Sequence, residues 1–299
     1  MSGFPTADTF ASLVDEVITT LQGFGVNNDQ VCTLSENIDA AAVTFAVDQA
    51  DIVSRGIIEI DEELMWVQSS ASGQLVVPAW GRGWKGTTAA AHTLGTVTYV
   101  APTYPRSIVS REVNNAIRAA YPALFATASY EFTFVNGIWQ YEMPVGIDRV
   151  LAVDWRWNIE DGWRKMDGYE LTHGASVTDF PSEKMLSINE PLMVGAKVQV
   201  RYSKVPTLLT SPADLYSTTG LPDSSRDVVA LGAAARLLPW LDAGRLPVET
   251  VPSDALDQTK PVGNAVSVGR EIRNLYAKRL QEERDALMAR FPLRVHKVR

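Results

Sequence analysis

The spacing of apolar residues along the chain predicts four helices. In the first helix, Phe10, Leu13, Val17 and Leu21 recur at intervals of three and four residues, which places them on one helix face. A similar stripe precedes Pro122, which ends the second helix because proline cannot continue one. The predicted helices cover residues 10–24, 107–121, 222–241 and 264–289.

Between these helices, short β-branched runs separated by Gly and Pro predict two β-rich modules. Asn136 and Gly137 form a dipeptide typical of a two-residue hairpin turn, so we expect the strands on either side of it to pair. The predicted strands are 42–47, 57–60, 64–67, 74–77 and 96–100 in the first module, and 130–134, 138–143, 148–157, 185–188 and 197–202 in the second.

Together these elements predict an α+β fold with a helical bundle core, two inserted β-rich modules and an extended C-terminal tail. Two long proline-bearing loops, 205–221 and 242–263, are either surface excursions or functional arms that touch neighbouring subunits, and loop statistics favour a functional role. The predicted segments are a core helix (1–25), a small β module (26–105), a core helix (106–125), a β-sheet module (126–205), long loops with core helices (206–290) and the tail (291–299).

Composition excludes several classes of protein. The chain has 299 residues, of which 46% are hydrophobic, and a net charge of −8, which argues against a histone-like DNA-coating surface or an anionic-membrane surface. The single cysteine, Cys32, excludes a disulfide scaffold and a zinc finger, and fits a small buried apolar residue. The sequence also predicts neither a secretion signal nor a membrane span.

Charge is distributed unevenly along the chain. Residues 264–299 hold nine basic and four acidic residues, so this end carries +5 and the remainder −13. At the extreme C-terminus apolar and basic residues alternate, which suits an extended segment that adds as a strand to an acidic partner. A frayed terminus is the alternative. The tail residues are Leu293, Arg294, Val295, His296, Lys297, Val298 and Arg299.

Catalytic constellations are absent from the sequence, so we expect neither an enzyme nor a bound metal or cofactor. The three histidines lie far apart without a ligand-pair spacing, and residues 81–88 fail the spacing of a phosphate loop. Asp61 and Glu63 could share a strand face as paired carboxylates, although a solvated turn is the simpler interpretation.

Aromatic residues are densest around Trp155, Trp157, Trp163 and Tyr169. Trp155 and Trp157 would lie on one strand face and could stack on a sugar, which keeps open a carbohydrate-binding module or a glycan hydrolase that uses Asp61 or Glu63. Sheet packing or a subunit contact is the favoured interpretation, because tryptophan is enriched in both settings.

Two stretches resemble tailed-bacteriophage structural proteins. The first runs from an acidic strand at residues 60–67 to an RGxxGTxAxxH pattern, and it resembles a small β module recurrent in those proteins. Glycines in this pattern allow tight turns, while threonine and histidine can bond the backbone. Residues 111–125 and 227–238 resemble helices of head-to-tail adaptors, also called connectors or neck proteins. The motif residues are Arg82, Gly83, Gly86, Thr87 and His92.

The resemblance implies a structural virion protein rather than an enzyme. It implies a homo-oligomeric ring, commonly a dodecamer, made in the host cytoplasm and placed in the virion neck between capsid and tail. Such a ring docks on the portal protein and contacts a downstream neck or tail protein. Its helices line a channel through which packaged double-stranded DNA passes during ejection. The tail, Leu293 to Arg299, would reach into the portal. Another tail or baseplate protein, with sixfold or threefold symmetry, is the alternative within this class.

Overall fold

The computed structural model describes residues 8–22, 30–53, 55–243 and 264–291. All four predicted helices are present with small changes in their bounds, and a 3-10 turn over Asp223–Ser225 delays the start of the third. The first helix buries Phe10, Leu13, Val14 and Val17, the face that its periodicity predicted. The helices are α1 (Phe10–Gln22), α2 (Arg106–Ala120), α3 (Arg226–Ala243) and α4 (Asn264–Arg290).

Fourteen strands occur in the described residues, four of them outside the predicted set. The strands are β1 (Gln30–Thr33), β2 (Thr44–Ala46), β3 (Gly56–Ile60), β4 (Glu63–Val67), β5 (Ser69–Ala71), β6 (Gln74–Val76), β7 (Val97–Val100), β8 (Ala126–Thr133), β9 (Gln140–Glu142), β10 (Arg149–Arg156), β11 (Arg164–Met166), β12 (Tyr169–His173), β13 (Lys184–Ile188) and β14 (Lys197–Lys204). Sequence patterns missed β1, β5, β11 and β12.

The chain divides into two compact units. Unit 1 comprises Met1–Thr9, Ala116–Val229 and Asn274–Arg299. It holds a four-stranded antiparallel sheet in the order β11-β10-β14-β8 and a three-stranded sheet in the order β12-β13-β9. Alternate apolar residues of both sheets form one buried cluster that includes Val153, Val198 and Leu186, so the core of unit 1 lies in its β-sheets.

Unit 2 comprises Phe10–Asn115 and Ala230–Arg273. Its sheets have the orders β1-β7-β3-β4 and β2-β6-β5, and all of their pairings are antiparallel. Ile58, Met65, Phe45 and Leu75 belong to one buried cluster, together with Cys32. Cys32 is therefore a small core residue, as its isolation in the sequence predicted, and burial raises the pKa of its thiol to about 11.

The predicted helical bundle core is wrong. Four antiparallel sheets form the framework of the described residues, and both hydrophobic clusters above consist of strand and loop residues. The physical reason is clearest in α4. Of the predicted stripe only Leu287 is fully buried, and the rest of the helix surface is polar or partly exposed. The predicted stripe consisted of Ile272, Tyr276, Leu280, Leu287 and Phe291.

The predicted hairpin at Asn136 and Gly137 is also wrong, although Gly137 does adopt a left-handed turn conformation with φ +82°. The flanking strands β8 and β9 pair with different partners, β14 and β13, in different sheets. The turn therefore carries the chain from one sheet to the other. The predicted tail, Leu293 to Arg299, lies outside the described residues, and no described helix is long and apolar enough to cross a membrane.

Candidate functional site

The motif residues surround the tight hairpin between β3 and β4. Ile60 pairs with Glu63, so Asp61 and Glu62 form a two-residue turn, and Asp61 adopts a positive φ of 53° that short polar residues tolerate. Both turn residues are exposed, as a solvated turn predicts. Glu63 is different, because it begins β4 with only 2% of its surface exposed.

Arg82 compensates the buried carboxylate of Glu63. Its Nε and Nη2 atoms donate to the two oxygens of Glu63 over 2.8 and 3.0 Å, in the bidentate geometry that suits guanidinium and carboxylate. Its Nη1 donates to the carbonyls of Asp39 and Ala42, and Nη2 also donates to the carbonyl of Ala90. All five donors of the guanidinium are thus used.

The Glu63 carboxylate accepts five hydrogen bonds. Besides Arg82, the backbone N–H groups of Gly83 and Ala90 donate to it over 2.9 Å each, and Nε2 of His92 lies 3.0 Å away. Burial alone would raise the pKa of Glu63, but the hydrogen bonds from His92, Arg82 and the backbone outweigh burial and lower it to about 2.

His92 lies between two carboxylates. Its Nδ1 is 2.7 Å from Oδ2 of Asp61, and its Nε2 faces Glu63. Burial disfavours the imidazolium, but the hydrogen bonds and charges of Glu63 and Asp61 prevail, so the pKa of His92 is raised above 6.5. With both ring nitrogens against acceptors, the doubly protonated ring is the form that fits. We call Glu63, Arg82 and His92 the buried ionic cluster.

The other motif residues shape the loop that carries Arg82. Gly83 has φ +59°, and a Cβ at this position would lie 2.7 Å from the carbonyl oxygen of Thr87, so only glycine fits without movement. Gly86 also has a positive φ, with open space around it. The hydroxyl of Thr87 accepts the N–H of Leu64 over 3.1 Å and donates to the carbonyl of Trp84 over 3.0 Å. The loop is thereby fastened to β4.

The buried ionic cluster links separate segments of the backbone, and this arrangement suits a structural role better than a catalytic one. The side chains of Arg82, Glu63 and His92 are 4%, 1% and 2% exposed, and their polar atoms are occupied by one another and by the backbone. Glu63 therefore does not offer the accessible carboxylate that a glycan hydrolase would require. Within the described ranges, no group of three or more His, Cys, Asp or Glu residues could hold a metal ion.

The aromatic residues that could have formed a sugar platform differ in their surroundings. Trp155 packs against the core of unit 1, with Arg164 over its ring at 5.6 Å. Trp157 lies just beyond the end of β10 and is 40% exposed, while Trp163 is 36% exposed and has Arg156 over its ring at 4.3 Å. Trp155 and Trp157 thus belong to different environments, and the packing role expected for Trp155 is confirmed.

Exposed apolar residues collect at one end of the four-stranded sheet in unit 1. Lys197 pairs with both Thr133 and Arg156, so the loops after β8, after β10 and before β14 emerge at the same end. We call this surface the apolar sheet end, and sequence patterns missed it because its residues come from three separate loops. Its exposed residues are Val135, Ile138, Trp139, Trp157, Ile159, Met193 and Val194.

No protein-family model matches the chain, and no curated protein matches its sequence.

Proposed function

We propose that this protein is a non-enzymatic structural component of a tailed-bacteriophage virion, acting as a head-to-tail adaptor. In this role, copies of the chain form a ring, dodecameric in the usual case, that docks on the portal protein. The ring joins the capsid to a downstream neck or tail protein and surrounds the channel through which double-stranded DNA leaves.

The buried ionic cluster is the observation that carries the proposal. The residues that match the phage module form hydrogen bonds within the chain. These bonds join the loop at Asp39 and Ala42, the β3–β4 hairpin, the Arg82 loop and the segment at His92. A small β module fastened in this way suits a part that must keep its shape under the load of genome packaging and ejection, without any chemistry of its own.

The apolar sheet end supports a role in protein assembly. Ile159 is 84% exposed, and Met193 and Val194 are more than half exposed, although these residues gain nothing from contact with water. Exposed apolar clusters of this kind mark protein contacts. A neck protein requires contacts with its own copies and with the proteins above and below.

Charge supports the proposed contacts with the portal and with DNA. The basic tail, Leu293 to Arg299, would dock on an acidic surface of the portal by strand addition. The remainder of the chain is strongly acidic, and acidic side chains that face the channel would repel passing DNA and prevent it from sticking. Neutral replacements of channel carboxylates should therefore slow genome ejection.

Mass photometry of the protein, alone and mixed with the portal ring, tests this function. We expect about a dozen copies per portal, and we expect deletion of Leu293 to Arg299 to abolish this complex. A matched control keeps the tail length and its apolar residues but replaces Arg294, Lys297 and Arg299 by glutamine, which separates the contribution of charge from that of chain length.

The same measurement addresses the alternative of another tail or baseplate protein. A stable trimer or hexamer that does not bind the portal would overturn the adaptor proposal in favour of that alternative. Binding of glycans that is lost in Trp157→Ala would instead favour a carbohydrate-binding module.

A further inference from the structure

The four-stranded sheet of unit 1 has an open edge at β8. The described strands give β8 a single neighbour, β14, on one side. Ser129, Tyr130 and Glu131 are all exposed, although successive residues of a strand point to opposite faces of the sheet. Exposure of three residues in succession indicates that β8 also lacks cover along its edge.

This edge lacks the features that usually prevent strand addition. Soluble proteins protect edge strands with proline, lysine, bulges or short length. Strand β8 is eight residues long, pairs in unbroken register with β14, and contains no proline, lysine or glycine. It therefore presents a regular row of backbone donors and acceptors to a partner.

The opposite edge of the same sheet carries the opposite charge. In strand β11 the consecutive residues Arg164 and Lys165 are both exposed. At the other edge, Glu131 is the one charged residue of β8, and its carboxylate accepts a hydrogen bond from Gln199 of β14 over 2.9 Å. Strand β11 thus carries two cations, and strand β8 carries one anion.

Strand directions favour pairing of these two edges between copies. Each of the three pairings in the sheet is antiparallel, so β8 and β11 run in opposite directions. A second copy in the same orientation would therefore place its β11 antiparallel to β8 of the first. This pairing would extend the antiparallel sheet from one copy into the next, and both copies would keep the same orientation.

We propose that β8 of one copy pairs with β11 of the next copy and forms the subunit contact of the ring. This contact is heterologous, the type that generates closed rings when the rotation between copies fits. Pairing of β8 with β8 would instead give a closed dimer with Glu131 of both copies at one interface. Because β11 has three residues, the exposed Ile159 and Trp163 before it supply additional contact area.

Charge reversal tests the contact, which rests on the proposed ring. In mass photometry with the portal ring, we expect Glu131→Lys, or Arg164→Glu with Lys165→Glu, to reduce the number of copies bound by more than half. Mixing the two variants should restore binding, because both contacts of a ring in which the variants alternate join opposite charges. The control is Asp51→Lys, which changes an exposed carboxylate of unit 2, the unit that contributes no strand to this sheet.

Cysteine cross-linking locates the contact directly. Ser129→Cys, Tyr130→Cys and Glu131→Cys proteins are each mixed with Lys165→Cys protein under oxidising conditions, since a disulfide needs Cα atoms within about 7 Å. We expect one of the three mixtures to give a dimer on a non-reducing gel. The native Cys32 is buried and should not react.

Each outcome of these experiments bears on one proposal. If wild-type protein assembles on the portal but every charge variant does too and no mixture cross-links, the edge contact is wrong while the adaptor function stands. A disulfide that forms within Ser129→Cys protein alone would identify the β8–β8 dimer instead. If wild-type protein forms neither a ring nor a portal complex, the adaptor function itself fails.

Discussion

At the scale of single residues, Arg82 is the group on which the buried ionic cluster depends most. Glu63 is only 2% exposed, and removal of Arg82 would take away its bidentate partner and leave only His92 as a neighbouring cation. The carbonyls of Asp39, Ala42 and Ala90 would also lose their donors. Breaking a buried ion pair from one side costs about 3 to 5 kcal/mol. We expect Arg82→Ala to lower the free energy of unfolding by that amount in urea denaturation.

Two further variants give this prediction its controls. Arg118→Ala removes an exposed arginine from α2 and should change stability by less than about 0.5 kcal/mol. Arg82→Lys keeps the charge but loses the bidentate contact, so it should lie between the wild type and Arg82→Ala. Equal stability of all four proteins would mean that the cluster does not stabilise the fold.

His92 gives the protein a stability that depends on pH. Its pKa is raised in the folded state, so its contribution is complete below the unfolded value near 6.5 and is lost as pH rises through the folded value. We expect the free energy of unfolding to decline above pH 6.5 in the wild type. His92→Gln should remove this decline, and an unchanged pH profile in that variant would contradict the assignment.

Glu59 contributes a second pH dependence in a lower window. Burial raises the pKa of its carboxyl to about 7, and its oxygen accepts the backbone N–H of Ser107 at the start of α2. A raised pKa favours folding at low pH, and this contribution is lost between about pH 4.5 and 7.

Glu59→Gln keeps an acceptor for Ser107 but cannot ionise. At pH 8 we expect this variant to be more stable than the wild type by roughly 3 kcal/mol, with no difference at pH 4. Urea titrations at the two pH values test this. Glu59→Gln removes the loss of stability that develops between about pH 4.5 and 7, and His92→Gln removes the loss that develops above pH 6.5, so the two variants separate the contributions of the two groups.

At the scale of elements, the loop from Ala79 to Thr87 depends on its glycines to different degrees. Gly83→Ala would introduce both a strained positive φ and a contact of 2.7 Å with the Thr87 carbonyl, whereas Gly86→Ala introduces the strain alone. A left-handed conformation costs a residue other than glycine about 1 to 2 kcal/mol.

We therefore expect Gly86→Ala to lower the free energy of unfolding by about 1 to 2 kcal/mol and Gly83→Ala to lower it further. Thermal unfolding followed by circular dichroism measures both variants under the same conditions. If the two variants lose equal stability, the close approach of the Gly83 and Thr87 backbones has no energetic consequence.

Local pattern predicted the elements well, because it depends on neighbours in sequence. The apolar repeat gave α1 and α2 to within a few residues, and alternation gave most of the strands. Strand β11 escaped because a three-residue strand with two exposed basic residues carries almost no apolar signal. The pairing of β8 with β14 rather than β9 escaped because partner choice depends on contacts some 70 residues apart.

The same limit applies to the candidate site and to the fold class. Of the backbone bonds expected from the motif, Thr87 makes its own through the hydroxyl, whereas the ring of His92 contacts two carboxylates instead. Glu63 lies 19 residues from Arg82 and 29 from His92, so its burial and full hydrogen bonding could not be predicted from local pattern. The helical core was wrong because periodicity identifies a possible apolar face, as on α4, without indicating whether another surface covers it.

At the scale of the whole molecule, the two proposed contacts use different parts of the chain. Separate mutations should therefore disrupt each contact without disrupting the other. The tail, Leu293 to Arg299, is expected to hold the ring on the portal, and the β8 and β11 edges are expected to join neighbouring copies. Deletion of the tail should abolish portal binding while leaving intact the cross-link between a β8 cysteine and Lys165→Cys at high protein concentration.

Charge reversal at Glu131 should have the complementary effect. A single copy would still bind the portal through its tail, so mass photometry should detect portals carrying one or a few copies instead of about a dozen. Salt should weaken the tail contact more, because three cations in the tail face an acidic partner, whereas the strand contact adds backbone hydrogen bonds to its charge pairs. If both variants lose portal binding and copy contact together, the tail and the sheet edges belong to one interface rather than two.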